Sequence, residues 1–558
     1  METTQAPTPC SQETFSFQAL ESRRVEVDFS GGYLSSDGGS LLLREVESKH
    51  RLIRAFADCF TDHRFRPLVE HPLEQLLAQR VHAIALGYED INDHDHLRLD
   101  PVLALCCDKG DLLGEERSEE DRGKALAGKS TLNRLELGSN GLTKTKKIQP
   151  HPERIRDLLI DEGVKRIPRR SREVTLDFDA TDDPLHGSQE GRIFHGYYGH
   201  YCYLPLYCFC GDIPLWAELR QADIDASKGT LEALQIIVAK IRRRLGKKVR
   251  IILRADSGFC RDEILTWIEK QRRVHYVIGL AKNNVLKKLL APTYDSYLEE
   301  QLGGDAYRQL CSEAEESKQK QPRLPDELDY KAYTELEYRT QKSWSRERRV
   351  IGKAAITKGK INPRFLVTDL AHDEDWARSD ARFETGQSIY EDYYCARGDM
   401  ENRIKEQQMD MFADRTSTSQ MASNQLRLWF STFAYMTVRD LRADALVGTR
   451  LEKASVGQVR LKLFKIAAQL TVSVRRIYIR LCSACAAPVR WQTYSPERTR
   501  TSSPAPRRAD RRVPVKRPAR ESGGTAMPGH SNEEGKTGNQ SLKNGSDHRS
   551  KQNRTPSR

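Results

Sequence analysis

The sequence predicts an α/β fold: a mixed β-sheet with a mainly helical region before it and further helices after it. Strand-like apolar patterns cluster between residues 174 and 282, and patterns of helical period separate the later strands. Residues 1–170 have only a short β-like start, after which apolar residues recur at helical spacing. This first region could bind a partner, bind a second subunit or simply be a helical packing domain. The helical spacing is carried by Leu73, Leu76, Leu77, Val81 and Ile84.

Residues 171–289 predict the element order β-β-β-α-β-α-β, which is that of a ribonuclease-H-like core. In that fold three antiparallel strands continue into a parallel part. The second and third strands meet at Gly211-Asp212, a hairpin-type connection. The elements are VTLDFDAT (174–181), YCYLPLYCFCG (201–211), IPLWAELRQAD (213–223), a helix from Leu231 that ends at Gly246, VRIILRADS (249–257), RDEILTWIEKQR (261–272) and VHYVIGLAK (274–282).

The rest of the chain predicts three more regions. Residues 290–370 are interpreted as a β-rich insertion, in which 290–330 is charged and loop-like and three strands follow. Residues 371–494 are expected to supply the last helix of the core, near 385–413, and a C-terminal helical region over 418–480. Residues 495–558 are rich in Pro, Gly, Ser and basic side chains, so we expect a disordered basic tail.

The net charge of +12 comes mainly from this tail, which holds 15 Lys and Arg against 6 Asp and Glu. The remainder carries only +3, so charge alone does not indicate a nucleic-acid partner. No apolar stretch approaches the ~20 residues that span a bilayer. No basic start followed by an apolar run opens the chain. We therefore expect a cytoplasmic protein without a membrane partner.

The twelve cysteines are scattered, and Cys106 and Cys107 are adjacent, which argues against a disulfide framework. Cys482 and Cys485 form a CxxC pair. No second pair or close pair of histidines completes a zinc site around it. We interpret these thiols as structural.

Acidic residues occur where predicted strands end. Asp177 and Asp179 share one face at the end of the first strand, and Asp256 ends the fourth, which neighbours the first in a ribonuclease-H-like sheet. Carboxylates ~4 Å apart repel each other by ~4 kcal/mol at an effective dielectric of 20, so clustering them makes sense around cations. Taken singly, an Asp at a strand end is more often a turn or cap residue.

The predicted late helix carries an unusual stripe of residues. Tyr394, Arg397, Glu401 and Gln408 lie on one face, with Lys405 at its edge. By itself, this stripe could be a solvated helix face with an Arg397–Glu401 ion pair worth only ~0.3–0.5 kcal/mol. Together with the two strand-end aspartates, an active site becomes the better interpretation.

At these residues the chain resembles the DDE transposases of bacterial insertion sequences. It is most similar to the subgroup with a β-rich insertion and a Y-R-E-K signature helix. The resemblance covers roughly 20–490. The matching motifs are LDFDATDDPLHG, LRADSGF, YYCARGDMENRIKE, GYEDINDHDHLRLDP and STLNRLE.

The resemblance implies that Asp179, Asp256 and Glu401 are catalytic and bind two Mg²⁺ or Mn²⁺ ions. Asp179 is preferred to Asp177 because it precedes a D-x-T turn. Tyr394 and Arg397 would bind the DNA backbone. The signature's lysine falls on Gln408, a departure that puts phosphate binding there in doubt, although Lys405 is one turn away.

The resemblance also implies a tryptophan that stacks on a flipped base. Trp344 is the candidate, since Arg346, Arg348 and Arg349 flank it. Taken alone, however, a cross-strand aromatic residue on a sheet face is the favoured interpretation of Trp344. The implied partners are double-stranded DNA, as terminal inverted repeats and target, and a second copy of the chain in a synaptic complex.

Two other functions stay open. One is a ribonuclease-H-like nuclease without strand transfer. The other is a catalytically inactive relative that only binds element ends, which the lysine-to-glutamine departure at Gln408 keeps possible.

Overall fold

The strands of the protein, seen in a computed structural model, range from two to ten residues in length. The structure describes residues 14–316, 322, 324–370 and 379–484. The predicted tail, 495–558, and Cys485 lie outside these residues. The strands are β1 Phe15–Leu20, β2 Arg23–Val27, β3 Tyr33–Ser35, β4 Phe60–Asp62, β5 Ile148–Pro150, β6 Glu173–Ala180, β7 Asp183–Pro184, β8 Ile193–His195, β9 His200–Tyr203, β10 Leu206–Cys210, β11 Ile213–Glu218, β12 Arg250–Ala255, β13 Val274–Leu280, β14 Tyr330–Tyr338, β15 Arg348–Thr357, β16 Lys360–Ile361, β17 Arg364–Thr368, β18 Ala468–Ser473 and β19 Arg476–Leu481.

Among the described residues, seven α-helices precede β6 in the chain and eight follow it. They are α1 Leu41–His50, α2 Leu52–Ala57, α3 Leu73–Leu86, α4 His94–Leu97, α5 Pro101–Cys106, α6 Lys129–Glu136, α7 Pro152–Arg166, α8 Thr230–Leu245, α9 Asp262–Glu269, α10 Asn284–Leu302, α11 Gly304–Glu316, α12 Gly386–Ser388, α13 Gly398–Lys405, α14 Met421–Leu441 and α15 Val456–Val459.

A nine-stranded mixed sheet dominates the structure, in the order β11-β10-β6-β12-β13-β17-β15-β14, with β16 paired to β15. β6 pairs antiparallel with β10 and parallel with β12, so the first and fourth predicted core strands are neighbours, as expected. The predicted order of strands and helices over 171–289 is present, with β7 and β8 as additional short strands. The predicted strand 201–211 was wrong as a single strand, because it is divided into β9 and β10, which belong to different sheets. The fold is a mixed α/β fold, as the sequence predicts.

The hairpin and helix signals of this region are also confirmed. Gly211, with φ of +61°, turns β10 into β11, a conformation that favours glycine. α8 ends at Leu245, where Gly246 follows. Local sequence signals therefore set the element boundaries here.

The prediction of a loop-like start to the insertion was wrong, because α10 and α11 occupy residues 284–316. Charged residues and Pro292 obscured the helical pattern of α10. Its buried side chains, Leu286, Leu290, Tyr294 and Leu298, recur every four residues and pack against the sheet. The Tyr294 hydroxyl accepts a hydrogen bond from the Ala355 amide at 3.1 Å. β17 pairs with β13, so residues 330–368 extend the central sheet.

The helices of the first region share one hydrophobic core with α14. Phe56 of α2 contacts Phe433 of α14, with ring centroids 4.3 Å apart. Glu136, the last residue of STLNRLE, is buried between Arg80 and Arg427, which donate to it at 2.6 and 2.7 Å. α14 is therefore the element on which the N-terminal helices pack.

The prediction of helices as far as residue 480 was partly wrong. α14 and α15 are helical, but β18 and β19 form a hairpin whose first strand also pairs with β3. Alternating β-branched residues in AQLTVS and RIYIRL favour strands. No helix in the described ranges is both long and apolar enough to span a membrane.

Candidate active site

Two acidic residues meet at the carboxyl ends of β6 and β12. These strands run parallel in a register that places Phe178 opposite Ala255, so Asp179 and Asp256 are the next residues along each strand. Asp179 is largely buried, and burial raises its pKa to about 6. Arg397 opposes this shift and the charge of Asp256 adds to it. The Asp256 side chain also accepts a hydrogen bond from the Gly258 amide at 2.8 Å.

Arg397 joins one of these acids to the late helix. Its Nη1 donates to Asp179 Oδ2 at 3.0 Å, and its Nη2 donates to Glu401 Oε1 at 2.8 Å. The two terminal nitrogens of a single guanidinium therefore hold Asp179 and Glu401 together. Glu401 is about half exposed, whereas the other two side chains of this bridge are largely buried. The bridge brings the first and third predicted catalytic residues to one place.

Tyr394 packs directly against the segment that carries Asp256. A Cβ atom added at Gly279 of β13 would lie 2.7 Å from the Tyr394 hydroxyl oxygen and 2.9 Å from the Ser257 amide nitrogen. Such distances are shorter than atoms tolerate, so the approach requires a glycine at position 279. Burial raises the pKa of Tyr394, as does the charge of Asp256, so its hydroxyl stays protonated.

The helix that carries Tyr394, Arg397 and Glu401 is irregular. Its backbone runs from α12 through a π-helical stretch, Ile389–Tyr394, and a 3₁₀ turn, Cys395–Arg397, into α13. A second π-helical stretch, Glu406–Asp410, follows. π-Helical turns are rare and concentrate at functional sites. The predicted helix near 385–413 therefore exists, but with altered spacing between its functional side chains.

A buried ion pair beneath the site was missed by sequence reasoning. Arg254 donates to both carboxylate oxygens of Asp177, at 2.6 and 2.9 Å, and its Nη1 donates to the carbonyl of Tyr393. The Tyr393 hydroxyl lies 2.8 Å from the Thr175 hydroxyl. These contacts fix the π-helical stretch to β6 and β12. The available signal was the parallel register, which sets Asp177 opposite Arg254.

Gln408 occupies a specific position in place of the signature lysine. Its amide donates to the Asp183 carboxylate at 3.0 Å and to the Asp182 carbonyl at 3.1 Å. Burial raises the pKa of Asp183 well above its usual range. Its second oxygen is buried and has no hydrogen-bond partner among the residues described. Lys405, one turn earlier, is exposed.

The structure does not bring the tryptophan cluster to this site. Trp344 is buried, with its ring 5.6 Å from that of Tyr338. Arg348 is also buried and donates to Glu269 and Asp262, each at 2.7 Å, while the more exposed Arg346 pairs with Glu269 at 3.1 Å. A DNA contact by Trp344 would require the ring to leave this packing, so its role stays a prediction.

The chemistry of the acids fits a divalent cation. Carboxylate oxygens are the ligands of Mg²⁺ and Mn²⁺, and the raised pKa of Asp179 shows that Arg397 does not fully offset its burial and the charge of Asp256. Within the described ranges, no three acidic, histidine or cysteine side chains are close enough together to bind one metal ion. In this conformation the Arg397 guanidinium takes the position between Asp179 and Glu401.

Comparison with known families identifies the chain. A sequence model of the family described as "Transposase DDE domain group 1" matches residues 17–494. The chain belongs to this family. It is therefore a transposase, an enzyme that acts on DNA. The match spans the strand-end acids and the late helix.

The transposase assignment rests on the family model, and comparisons with solved and curated proteins do not extend it. The transposase is similar to a structure described as a cryo-EM structure of piggyBac transposase synaptic complex with hairpin DNA. The sequence identity is 11% and the TM-score 0.37, over 76% of this chain and 80% of that one. Among curated proteins no match was found.

Proposed function

We propose that Asp179, Asp256 and Glu401 are the catalytic residues of metal-dependent DNA cleavage and strand transfer, in cut-and-paste transposition of an insertion sequence. One observation carries the proposal. A single guanidinium, Arg397, binds two of these carboxylates, and the third acts electrostatically on the same aspartate. The three acids are far apart in the sequence, and the charge of each acts on the Arg397 guanidinium.

Two Mg²⁺ or Mn²⁺ ions held by Asp179, Asp256 and Glu401 would activate the attacking hydroxyl and stabilise the leaving oxygen. The protein supplies the positions of its carboxylates: β6 and β12 fix the two aspartates, and the buried Asp177–Arg254 pair fixes the helix that carries Glu401. The exposure of Glu401 leaves this side open to DNA.

Tyr394 and Arg397 are proposed to bind the DNA backbone next to the reacting phosphate. A guanidinium presents paired donors that match two phosphate oxygens, and the protonated Tyr394 hydroxyl can donate a hydrogen bond. Lys405 is exposed on the same helix and supplies a further positive charge. Gln408 is engaged with Asp183, so we assign it to positioning this helix as well as to the DNA-facing stripe.

The sheet order supports a ribonuclease-H-like core. In β11-β10-β6-β12-β13, three antiparallel strands continue into two parallel ones, with the first strand next to the fourth. We propose that this core acts on two terminal inverted repeats and on target DNA. Because two ends must be held at once, a homodimer is proposed, with residues 1–170 binding DNA ends or the second subunit.

The proposal is tested with duplexes taken from the DNA that flanks the reading frame. The full-length protein should cut them with Mg²⁺ and leave them intact when the metal is chelated. Asp256→Ala should bind the same duplex with unchanged affinity and cut none of it. Cleavage by Asp256→Ala at the wild-type rate would overturn the assignment.

A precut duplex with a free 3′-hydroxyl separates transposition from simple nuclease activity. Joining of this end to a second DNA supports strand transfer, whereas cleavage without joining favours the nuclease. Binding without either reaction, in the wild-type protein, favours the inactive relative that Gln408 keeps under consideration.

A further inference from the structure

A small sheet extends from the end of the strand that carries Asp179. It is formed by β7, β9 and β8, in that order, and we call residues 183–203 the flap. The flap leaves the central sheet after Asp182 and returns to it before β10. It therefore begins and ends beside the candidate active site.

The base of the flap is fixed to the core. His200 Nε2 lies 2.7 Å from Asp182 Oδ2, and the Glu190 amide donates to the Ser419 carbonyl at 2.7 Å. Tyr198 packs against a small apolar cluster around Cys202 and Leu204. Burial raises the pKa of Tyr198, as do the charges of Asp182 and Asp179.

The outer part of the flap exposes aromatic rings. Phe194 is 54% exposed, Tyr197 87% and Tyr201 40%. Phe194 and Tyr201 contact edge to face, with centroids 5.5 Å apart, and the Arg192 guanidinium lies 3.5 Å above the Tyr201 ring. The turn between β8 and β9 consists of residues 196–199, with Tyr197 and Tyr198 between two glycines that have open space around them. These rings contribute little to any core.

Exposed aromatic rings interleaved with cations are the recognition elements of unpaired nucleic acid. Bases stack on aromatic faces irrespective of sequence, and arginine adds attraction to both rings and phosphates. The flap's cation is Arg192, the one Lys or Arg within residues 183–203. An apolar protein partner would not explain Arg192 or the position next to Asp179.

We propose that the flap binds unpaired bases of the DNA strand beside the reacting phosphate, by stacking on Phe194, Tyr197 and Tyr201. This inference rests on the proposed function, since it is the position of Asp179 that places the flap at the cut. Arg192 keeps the Tyr201 ring oriented and meets the backbone of the same strand. The buried Trp344 is not required for this contact.

The test is the affinity of the full-length protein for labelled single-stranded and duplex oligonucleotides, measured by fluorescence anisotropy. Tyr197→Ala and the double variant Phe194→Ala/Tyr197→Ala should weaken single-strand binding by about 5-fold or more per stacked base lost. Duplex binding should stay unchanged. Tyr197→Phe, which keeps the ring, should bind like the wild type.

Tyr478→Ala serves as the control, because Tyr478 is an aromatic residue exposed to a similar degree as Phe194 (43% and 54%) and lies on β19, in a different sheet from the flap. It should change neither affinity. Equal single-strand affinity in the wild type and the double variant would overturn the flap assignment. So would an equal loss of single-strand and duplex binding, since stacking on unpaired bases predicts a selective loss.

The two proposals fail separately. Binding is measured in the Asp256→Ala background, where the proposed function predicts no cleavage. If Asp256→Ala still cuts while the flap variants lose single-strand affinity, the triad assignment fails and the flap stands. If Asp256→Ala is inactive and the flap variants bind normally, the flap assignment fails alone.

Discussion

Asp177 and Arg254 form a two-pronged ion pair, almost fully buried, between neighbouring parallel strands directly beneath the candidate active site. Burial raises the pKa of Asp177, and the guanidinium of Arg254 opposes that shift. Because Arg254 also donates to the Tyr393 carbonyl, the pair joins the sheet to the helix that carries Arg397 and Glu401. The geometry of the candidate catalytic acids therefore depends on a buried ion pair that lies outside the site itself.

Arg254→Met should lower the free energy of unfolding by roughly 3–5 kcal/mol, because it leaves Asp177 buried without its partner. Urea unfolding measures this. Arg308→Met, which breaks the exposed Arg308–Asp305 pair, should cost less than about 1 kcal/mol. The double variant Asp177→Asn/Arg254→Met should recover part of the loss. Equal effects of Arg254→Met and Arg308→Met would contradict the role given to the buried pair.

The sequence was sufficient to predict the central strands but not this pair. Alternating and continuous apolar runs specify β6, β12 and β13, and the parallel register then follows from the fold. By contrast, Asp177 and Asp179 lie on the same face of β6, and the sequence does not show which of them forms a buried ion pair with Arg254. The only sequence feature that distinguishes Asp179 from Asp177 is the D-x-T turn that begins at Asp179.

The sequence also did not show which side chains of the insertion, residues 290–370, are buried. From the sequence, Trp344 and Arg348 predict an aromatic residue in a basic DNA-binding patch. In the structure, Asp262 and Glu269 of α9 form ion pairs with Arg348, and Trp344 and Arg348 are both buried. The helical pattern of α10 was concealed by its charged exposed face and by Pro292. Contacts between residues far apart in the sequence determine whether these side chains are buried, and local sequence patterns do not reveal such contacts.

The Gln408–Asp183 contact predicts a strong coupling. Burial raises the pKa of Asp183 well above its usual range and so favours its neutral form. Asp183→Asn should therefore change stability by less than about 1 kcal/mol in the wild-type background. Gln408→Lys would place a cation beside it and ionise it, so the same Asp183→Asn change should then cost several kcal/mol. Urea unfolding of the four proteins gives the cycle. Effects that add within about 0.5 kcal/mol would show that the two side chains are uncoupled.

Glu47 predicts a pH-dependent stability. Its carboxylate accepts hydrogen bonds from the Ile53 and Arg54 amides at the start of α2, yet burial raises its pKa from 4.5 to about 7. The unfolded chain releases this proton near pH 4.5 and the folded protein only near pH 7. The stabilisation is therefore complete below about pH 4.5 and is lost as the pH rises to 7.

The corresponding measurement compares urea midpoints of the wild type and Glu47→Gln between pH 5 and 8. The difference between the two proteins should shift in favour of Glu47→Gln as the pH rises, since glutamine cannot ionise. A difference that stays constant over this range would show that Glu47 does not titrate there.

Arg397 should compete with divalent cations for Asp179 and Glu401. Arg397→Ala is expected to tighten Mn²⁺ binding by about 5-fold, the equivalent of one partly exposed ion pair of ~1 kcal/mol. Isothermal titration calorimetry with the full-length protein measures this. Arg403→Ala, which removes a neighbouring cation paired with Glu406, should leave Mn²⁺ affinity unchanged. Weaker Mn²⁺ binding in Arg397→Ala would mean that the guanidinium supports the site instead of occupying it.

The most direct test of the shared role of the three acids is the cleavage rate of the single variants Asp179→Asn, Asp256→Asn and Glu401→Gln and of their triple combination, at saturating DNA. Residues that act as one unit are non-additive, so each single change should lower the rate by about 10³-fold or more and the triple variant should be little slower than the slowest single one. Near-wild-type cleavage by any of the three single variants, with DNA binding intact, would contradict the account.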